Sequence, residues 1–322
     1  TLFASSNSVG TKLKVNEKVC EVKELKEENI ETYDISLFSA GGERSKKFAK
    51  SFLNKGSYVV DNSSAFRMEE EVPLVVYGIN EDKISKETKL ISNPNCTTMG
   101  LVMVLKPLHE KYKLEKIVPT AYQAVSGSGR AAVESLKNEE KLGEELKPNY
   151  RDGFYTRPIS RNVIPLAGNL TENGYSDEEM KFVNESRKIL DIKSLIVEPS
   201  NARVGVETGH GVFCSATFQK EVDVKEAIDV LNSFNGVQYW EETLPTPLDA
   251  EGSNDVLVGR MRKGLSSNKI LNFWSVSDNL LKGAALNAVQ IASYILENDW
   301  SSWKYSPEEK NNLGPLGRLL LK

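Results

Sequence analysis

One cysteine in this chain stands where covalent chemistry would need it, at the point where a short extended segment turns into a helix. It is Cys96, in the run Ile91-Ser92-Asn93-Pro94-Asn95-Cys96-Thr97-Thr98-Met99-Gly100. Leu101, Leu105 and Leu108 then recur at helical spacing, which places the thiol in a first helical turn. Unpaired backbone N–H groups and the positive end of the helix dipole favour thiolate over thiol there. The competing reading is a buried structural cysteine, because free cysteine is among the most buried residue types. Asn93-Pro94-Asn95 argues against that reading, since such a segment is turn chemistry that lifts the thiol out of a strand.

The search for a proton partner is short, because the chain holds only 2 histidines. His109 lies in a polar helix end, Lys106 to Lys113, and reads as solvated, whereas His210 follows Gly209 at the mouth of a strand, downstream of Arg203. Ser176 and Glu179 form an S-x-x-E capping box, which opens a helix with Glu178 and Lys181 on one face. That pair is either a solvated ion pair or two opposite charges offered to a ligand. Gln123 to Arg130 is a Gly/Ser-rich loop opening another helix, as readily a plain turn as a cradle for phosphate. The 3 cysteines are odd in number and lack metal-ligand spacing, so free thiols in a reducing compartment and no metal are expected.

The elements that must position these groups follow from the hydrophobic pattern. At 322 residues the chain exceeds a single core, so two domains are expected. A β run over Asp34–Gly42 that ends in small residues and a strand at Tyr58–Asp61 alternate with a helix over about 43–53, and Ile117–Tyr122 leads into the Gly/Ser loop. Such alternation implies a doubly wound, Rossmann-like parallel α/β sheet, whose ligands gather at the carboxyl ends of strands. Gly41-Gly42, Asn62-Ser63 and Asn95-Cys96 all fall at such ends. Val212, Cys214, Ala216 and Phe218 alternate as the buried face of a later strand, and a final helix spans about 283–296. The expected layout is a dinucleotide-binding domain from 1–120 plus 279–298, an α+β substrate and dimerisation domain from 121–278, and a tail, 299–322, without assigned role. A net charge of −4 gives no reason to expect nucleic acid or an anionic membrane. No apolar run approaches the roughly 20 residues that span a bilayer.

Six segments carry a resemblance. Ser39-Ala40-Gly41-Gly42, Asp61-Asn62-Ser63-Ser64-Ala65-Phe66-Arg67, Asn93-Pro94-Asn95-Cys96-Thr97, Tyr122-Gln123-Ala124-Val125-Ser126-Gly127, Pro245-Thr246-Pro247-Leu248-Asp249-Ala250, and Asp278-Asn279-Leu280 with Lys282-Gly283-Ala284-Ala285-Leu286-Asn287-Ala288-Val289-Gln290 stand in the same order as in the aspartate-β-semialdehyde dehydrogenase family. The chain resembles that family from about Leu2 to Leu296. The resemblance implies a cytoplasmic homodimer or homotetramer that uses NADPH to reduce L-aspartyl-4-phosphate to the semialdehyde and phosphate, on the way to lysine, threonine and methionine. By the same resemblance, Cys96 is the nucleophile that forms a thioacyl intermediate, Gln123 orients the acyl group, and His210 is the general acid/base. Arg203 matches the clamp on the substrate carboxylate, Glu178 the partner of the substrate amine, and Arg67, Asn95 and Lys181 the phosphate binders. Ser5, Ser8, Gly41, Ser126, Gly127 and Asn279 match the NADP(H) side.

Three departures shape the expectations. The family's first strand and G-x-x-G-x-x-G turn are missing ahead of Thr1, so two neighbouring strands are expected to have unpaired ladders and the chain as given to bind NADPH weakly. Asn7 stands where many relatives carry an arginine near the ribose 2′-phosphate, while Ser5 and Ser8 remain. Gly205, Glu207 and Thr208 replace a proline and aromatic residues, and Glu207 is expected to raise the pKa of His210. An inert homologue kept for dimerisation is the alternative, and cysteine hydrolysis by Cys96 and His210 is a weaker one, since it leaves the Asn279 segment without use.

Overall fold

A computed structural model describes residues 1–15, 17–298 and 300 of the chain. It divides into two compact units, the first built from residues 1–75, 81–93 and the described residues from 288 onward, the second from 76–80 and 94–287.

In the first unit, β1 (Leu2–Ala4), β2 (Lys12–Val15) and β3 (Lys18–Glu24) form a sheet in the order β1-β3-β2, with β1 and β3 parallel. β4 (Ile35–Phe38) is followed by α1 (Gly42–Asn54), and β4, β5 (Tyr58–Asp61) and β6 (Leu90–Ser92) form a second, all-parallel sheet. All four residues of β5 are buried, as a central parallel strand covered on both faces requires. α1 places Phe48, Ala49 and Phe52 against Ile30, Phe38 and Val59, which is the helical spacing read from the sequence. β1 and β4 are not paired with each other among the described residues. A cavity of about 450 Å³ is lined from both, by Leu2 and Phe3 and by Ile35 and Phe38.

The second unit opens with α2 (Cys96–Tyr112), β7 (Leu114–Gln123), α3 (Arg130–Leu142), β8 (Val163–Ile164) and α4 (Asp177–Leu190). It continues through β9 (Ile196–Val197), β10 (Ser200–Val204), β11 (His210–Phe218), α5 (Val224–Asn232) and β12 (Val237–Tyr239). α6 (Pro247–Ala250), β13 (Val256–Lys263) and β14 (Ile270–Ser277) complete it, followed by a π-helical turn, Leu281–Ala285, and by α7 (Leu286–Glu297). The sheet has eight strands, in the order β12-β13-β14-β11-β7-β10-β8 with β9 on β7, and it mixes parallel and antiparallel pairs. Val212, Cys214, Ala216 and Phe218 form the buried face of β11 as their alternation requires. α2 packs on β7, β11 and β14 and is buried nearly all round, Pro107 included.

This packing moves the boundary. Residues 94–120 were expected in the dinucleotide-binding domain, but β7 pairs along its length with β10 and β11, and α2 lies on the same sheet, so both belong to the second unit. Residues 279–287 fall there too, and α7 enters the first unit's core from Ala288, with Ile291 and Ile295 beside Tyr58, Val60 and Ile91. The tail, 299–322, lies outside the described residues apart from Trp300, which packs on that core. No described helix is long and apolar enough to cross a membrane.

Candidate active site

Asn95 and Cys96 begin α2. Asn95 has extended backbone, and its Oδ1 accepts from the amides of Thr97 (3.1 Å) and Thr98 (3.4 Å), which is N-cap geometry. Cys96 is the first helical residue, half-buried and in no disulfide, with its Sγ 3.9 Å from Thr97 Oγ1. Gly283 on the π-helical turn leaves room for it, since a Cβ there would come within 2.8 Å of Cys96 Cβ. π-helical turns of this kind recur at functional sites. The Asn95 side chain caps the helix through Oδ1 and donates through Nδ2 to Glu178 Oε2 at 2.9 Å.

Glu178 sits in the first turn of α4, where the capping box of Ser176 and Glu179 is formed as read from the sequence. Its carboxylate pairs with Lys181, and with only 17% of the Glu178 side chain exposed this is not a solvated surface pair. Gln123 Nε2 reaches the same carboxylate at 3.5 Å. Burial alone would raise the pKa of Glu178, but Lys181, Asn95 and Arg203 outweigh it and hold the carboxyl below its usual range.

Sheet register brings the next three groups together. Arg203 on β10 lies opposite Gln123 at the end of β7, and Gly211 on β11 lies opposite Tyr122, so Gln123, Arg203 and His210 come to one end of three adjacent strands. Arg203 is 5% exposed, and its Nη1 donates to Ala124 O at 2.7 Å. His210 is 2% exposed, and its Nδ1 accepts from Ala124 N at 3.0 Å. An imidazole that accepts at Nδ1 carries its single proton on Nε2. Neither His210 Nε2 nor Arg203 Nε has a hydrogen-bond partner among the described residues, although both are buried. Native structures rarely leave such groups unpaired, and here the two donors form part of one cluster.

The expectation for Glu207 is overturned. Burial, and after it the Arg203 guanidinium, pull the pKa of His210 down to about 3. Glu207 is half-exposed and pairs with Lys137 at 2.8 Å. His109 also differs from its solvated reading, because its Nδ1 accepts from Leu114 N at 3.0 Å where α2 meets β7.

The Gly/Ser loop is a turn. Val125 N and Ser126 N donate to the carbonyls of Val206 and Glu207, and Gly127 N and Gly129 N donate within the loop, so these amides are not left to cradle phosphate. Asn279 ties the loop to the residue before β11, since its Nδ2 donates to Ser126 Oγ at 2.9 Å and its Oδ1 accepts from Gly209 N at 2.9 Å. A Cβ on Gly127 would lie 2.9 Å from His210 Nε2 and 3.4 Å from Arg203 Nη1, so the glycine keeps the space beside both side chains open.

Ser5, Ser8, Gly41 and Arg67 lie in the first unit. Ser5 and Ser8 are at the exposed 3₁₀ turn after β1, and Gly41, at φ 86°, caps α1. Arg67 donates to the carbonyls of Asn93 (2.9 Å) and Asn62 (3.0 Å). Cys214 is core, its thiol pushed up by burial. No cluster of three or more His, Cys, Asp or Glu among the described residues could hold a metal.

Reading the sequence missed Glu185. It is 2% exposed on α4, and its Oε2 accepts from Asn95 N at 2.7 Å. A signal was present, because Phe182, Glu185 and Ile189 follow helical spacing and put a carboxylate in the apolar stripe.

Residues 1–87 match the family model described as semialdehyde dehydrogenase, NAD binding domain, and residues 105–282 the one described as semialdehyde dehydrogenase, dimerisation domain. Aspartate-semialdehyde dehydrogenase of Corynebacterium melassecola is 43% identical over 92% of this chain and 90% of that protein. The Bacillus subtilis enzyme of the same name is 39% identical over 91% of this chain and 88% of that protein. Among solved structures, aspartate semialdehyde dehydrogenase II from Vibrio cholerae superposes with a TM-score of 0.88 at 36% identity, covering 92% of this chain and 90% of that one. The same Vibrio cholerae enzyme complexed with ASA gives a TM-score of 0.88 at 35% identity, covering 92% of this chain and 89% of that one.

Proposed function

The chain belongs to the aspartate-semialdehyde dehydrogenase family, and from that premise we propose that it interconverts L-aspartyl-4-phosphate and L-aspartate 4-semialdehyde through a thioacyl intermediate on Cys96. The observation that carries the reading is the pair of buried, unpartnered donors, His210 Nε2 and Arg203 Nε, in the same cluster as Gln123 and Glu178. A substrate with a carboxylate, an ammonium group and an acyl oxygen supplies a partner for each.

The roles follow from the chemistry of each group. Glu178, held anionic, takes the α-ammonium group, and Arg203 takes the α-carboxylate. Cys96 attacks as thiolate at the acyl carbon, a carbon–sulfur bond forms, and the carbon–oxygen bond to phosphate breaks with its electron pair leaving on phosphate. Lys181 supplies positive charge for the departing phosphate, and Gln123 orients the acyl group. His210 is the general acid/base of this reading: with Nδ1 occupied by Ala124 N–H it presents its Nε2 proton, which hydrogen-bonds the acyl oxygen as negative charge develops there. Asn95, assigned to phosphate by the resemblance, also caps α2 and so sets the place of Cys96. Arg67 lies in the other unit, and its assignment to phosphate rests on the resemblance.

NADPH, when bound, supplies the hydride that reduces the thioester and returns Cys96 as thiolate. The exposed Ser5 and the half-buried Ser8, at the turn after β1, fit the ribose-phosphate end of such a group. Gly41 in that unit, and Ser126, Gly127 and Asn279 in the second, are the remaining proposed contacts. The matched dimerisation domain supports a homodimer, and a cytoplasmic place in lysine, threonine and methionine synthesis follows from the same reading. The test is phosphate-dependent reduction of NADP by aspartate semialdehyde, with Cys96→Ala alongside. Activity is expected in the parent protein and absent in the variant, and activity that survives the substitution removes Cys96 from its role.

A further inference from the structure

We propose that Glu185 is a positioning residue for the nucleophile, pinning the backbone amide of Asn95 so that Cys96 keeps its place at the head of α2 while Glu178 turns to substrate. The inference rests on the reading of Cys96 and Glu178 given above. Glu178 and Glu185 are seven residues apart on α4, two turns along one face. They grip the same residue by different atoms: Glu178 accepts from Asn95 Nδ2 at 2.9 Å and Glu185 from Asn95 N at 2.7 Å. Phe182, 1% exposed, lies between them, and Glu185 itself is only 2% exposed. Burying a carboxylate is costly where an apolar side chain would pack, so the position is occupied against the preference of the core. A backbone amide that donates to a buried carboxylate makes a short, strong bond, and solvent does not compete for it.

The two carboxylates differ in what substrate does to them. An α-ammonium group competes with Asn95 Nδ2 for Glu178, and the side chain that caps Thr97 and Thr98 then loses one of its restraints. The amide held by Glu185 is out of reach of that competition. It keeps the turn before Cys96 fixed at the moment the thiolate must be aimed.

Two variants and one measurement on the parent protein test this. In Glu185→Met, which keeps the volume and removes the acceptor, kcat is expected to fall about tenfold or more with KM for aspartate semialdehyde within about twofold, since misplacement costs turnover rather than binding. Alkylation of Cys96 by iodoacetamide at neutral pH, read by peptide mass spectrometry without substrate, is expected to slow by about tenfold. Glu185→Gln, whose amide oxygen can still accept from Asn95 N, is expected to recover most of both losses. Parent-like kcat and alkylation in Glu185→Met, or a Gln variant as impaired as the Met variant, overturns the proposal. Should Glu185→Met fail to fold, hydrogen exchange at the Asn95 amide of the parent protein decides: protection well above that of exposed turn amides is expected, and fast exchange overturns it. Alkylation and exchange need no turnover, so a parent protein without dehydrogenase activity would refute the proposed function and leave these results standing.

Discussion

Replacing Gly127 by alanine adds one methyl group at the place where the account needs empty space. The added Cβ would lie 2.9 Å from His210 Nε2, 3.2 Å from His210 Cε1 and 3.4 Å from Arg203 Nη1. Gly127 does not have a positive φ, so alanine brings no backbone strain of its own. The imidazole must therefore give way by about half an ångström, or the turn must move by as much. A misplacement on the order of 1 Å at a reacting centre costs up to about 100-fold, so a loss of about 10- to 100-fold in kcat/KM is expected, or about 1.4–2.7 kcal/mol of transition-state stabilisation. The assay is initial-rate oxidation of aspartate semialdehyde with phosphate and NADP, paired with urea unfolding to show that the variant is folded. Overpacking of this size costs about 1–3 kcal/mol of stability and leaves the fold in place. A folded Gly127→Ala protein with kcat/KM within twofold of the parent would refute the claim that the space beside His210 Nε2 and Arg203 receives substrate.

Two further outcomes follow from buried groups. His210 is held down to about 3, below the roughly 6.5 of an unfolded histidine, so between those values the unfolded chain binds the extra proton. Its contribution to stability is therefore intact above about pH 6.5 and is lost as pH falls, by about 1.4 kcal/mol per pH unit. The gap in urea stability between the parent and His210→Gln is expected to change at that rate from pH 6 to pH 4.5, and parallel curves would contradict the reading. Glu139, 1% exposed, accepts from Ile159 N at 2.6 Å and Ser160 N at 2.9 Å. Glu139→Ala leaves both buried amides without that partner and is expected to cost about 2–5 kcal/mol in urea unfolding, with a cost under about 1 kcal/mol counting against the assignment.

Much of the site was legible because its signals are local. The Asn-Pro-Asn turn before Cys96, the capping box at Ser176 and Glu179, and the alternation along β11 depend on neighbours within one element, and each is formed as expected. What escaped depends on partners distant in sequence. The boundary at residue 94 is set by β7 pairing with strands some 80 to 100 residues later, as in Thr120 opposite Ser200 and Leu114 opposite Phe218. Glu207 lies three residues before His210, yet it pairs with Lys137 on α3 instead. Charge at short sequence distance was read as charge at short spatial distance, and along an extended segment the two differ. Glu139 and Glu185 look like the solvated residues around them in charged helices, and only their position among buried neighbours separates them. The strands β9 and β12, of two and three residues, are too short to show a period.

The central claim is that the thiol of Cys96 carries the acyl group. Mixing the protein with L-aspartyl-4-phosphate in the absence of NADPH, quenching with acid and mapping the peptides by mass spectrometry tests it most directly. About one phosphate released per active site is expected, with an aspartyl adduct, labile to hydroxylamine, on the peptide that contains Cys96. A parent protein that turns over substrate while that peptide remains unmodified, or that carries the adduct on another residue, would contradict it.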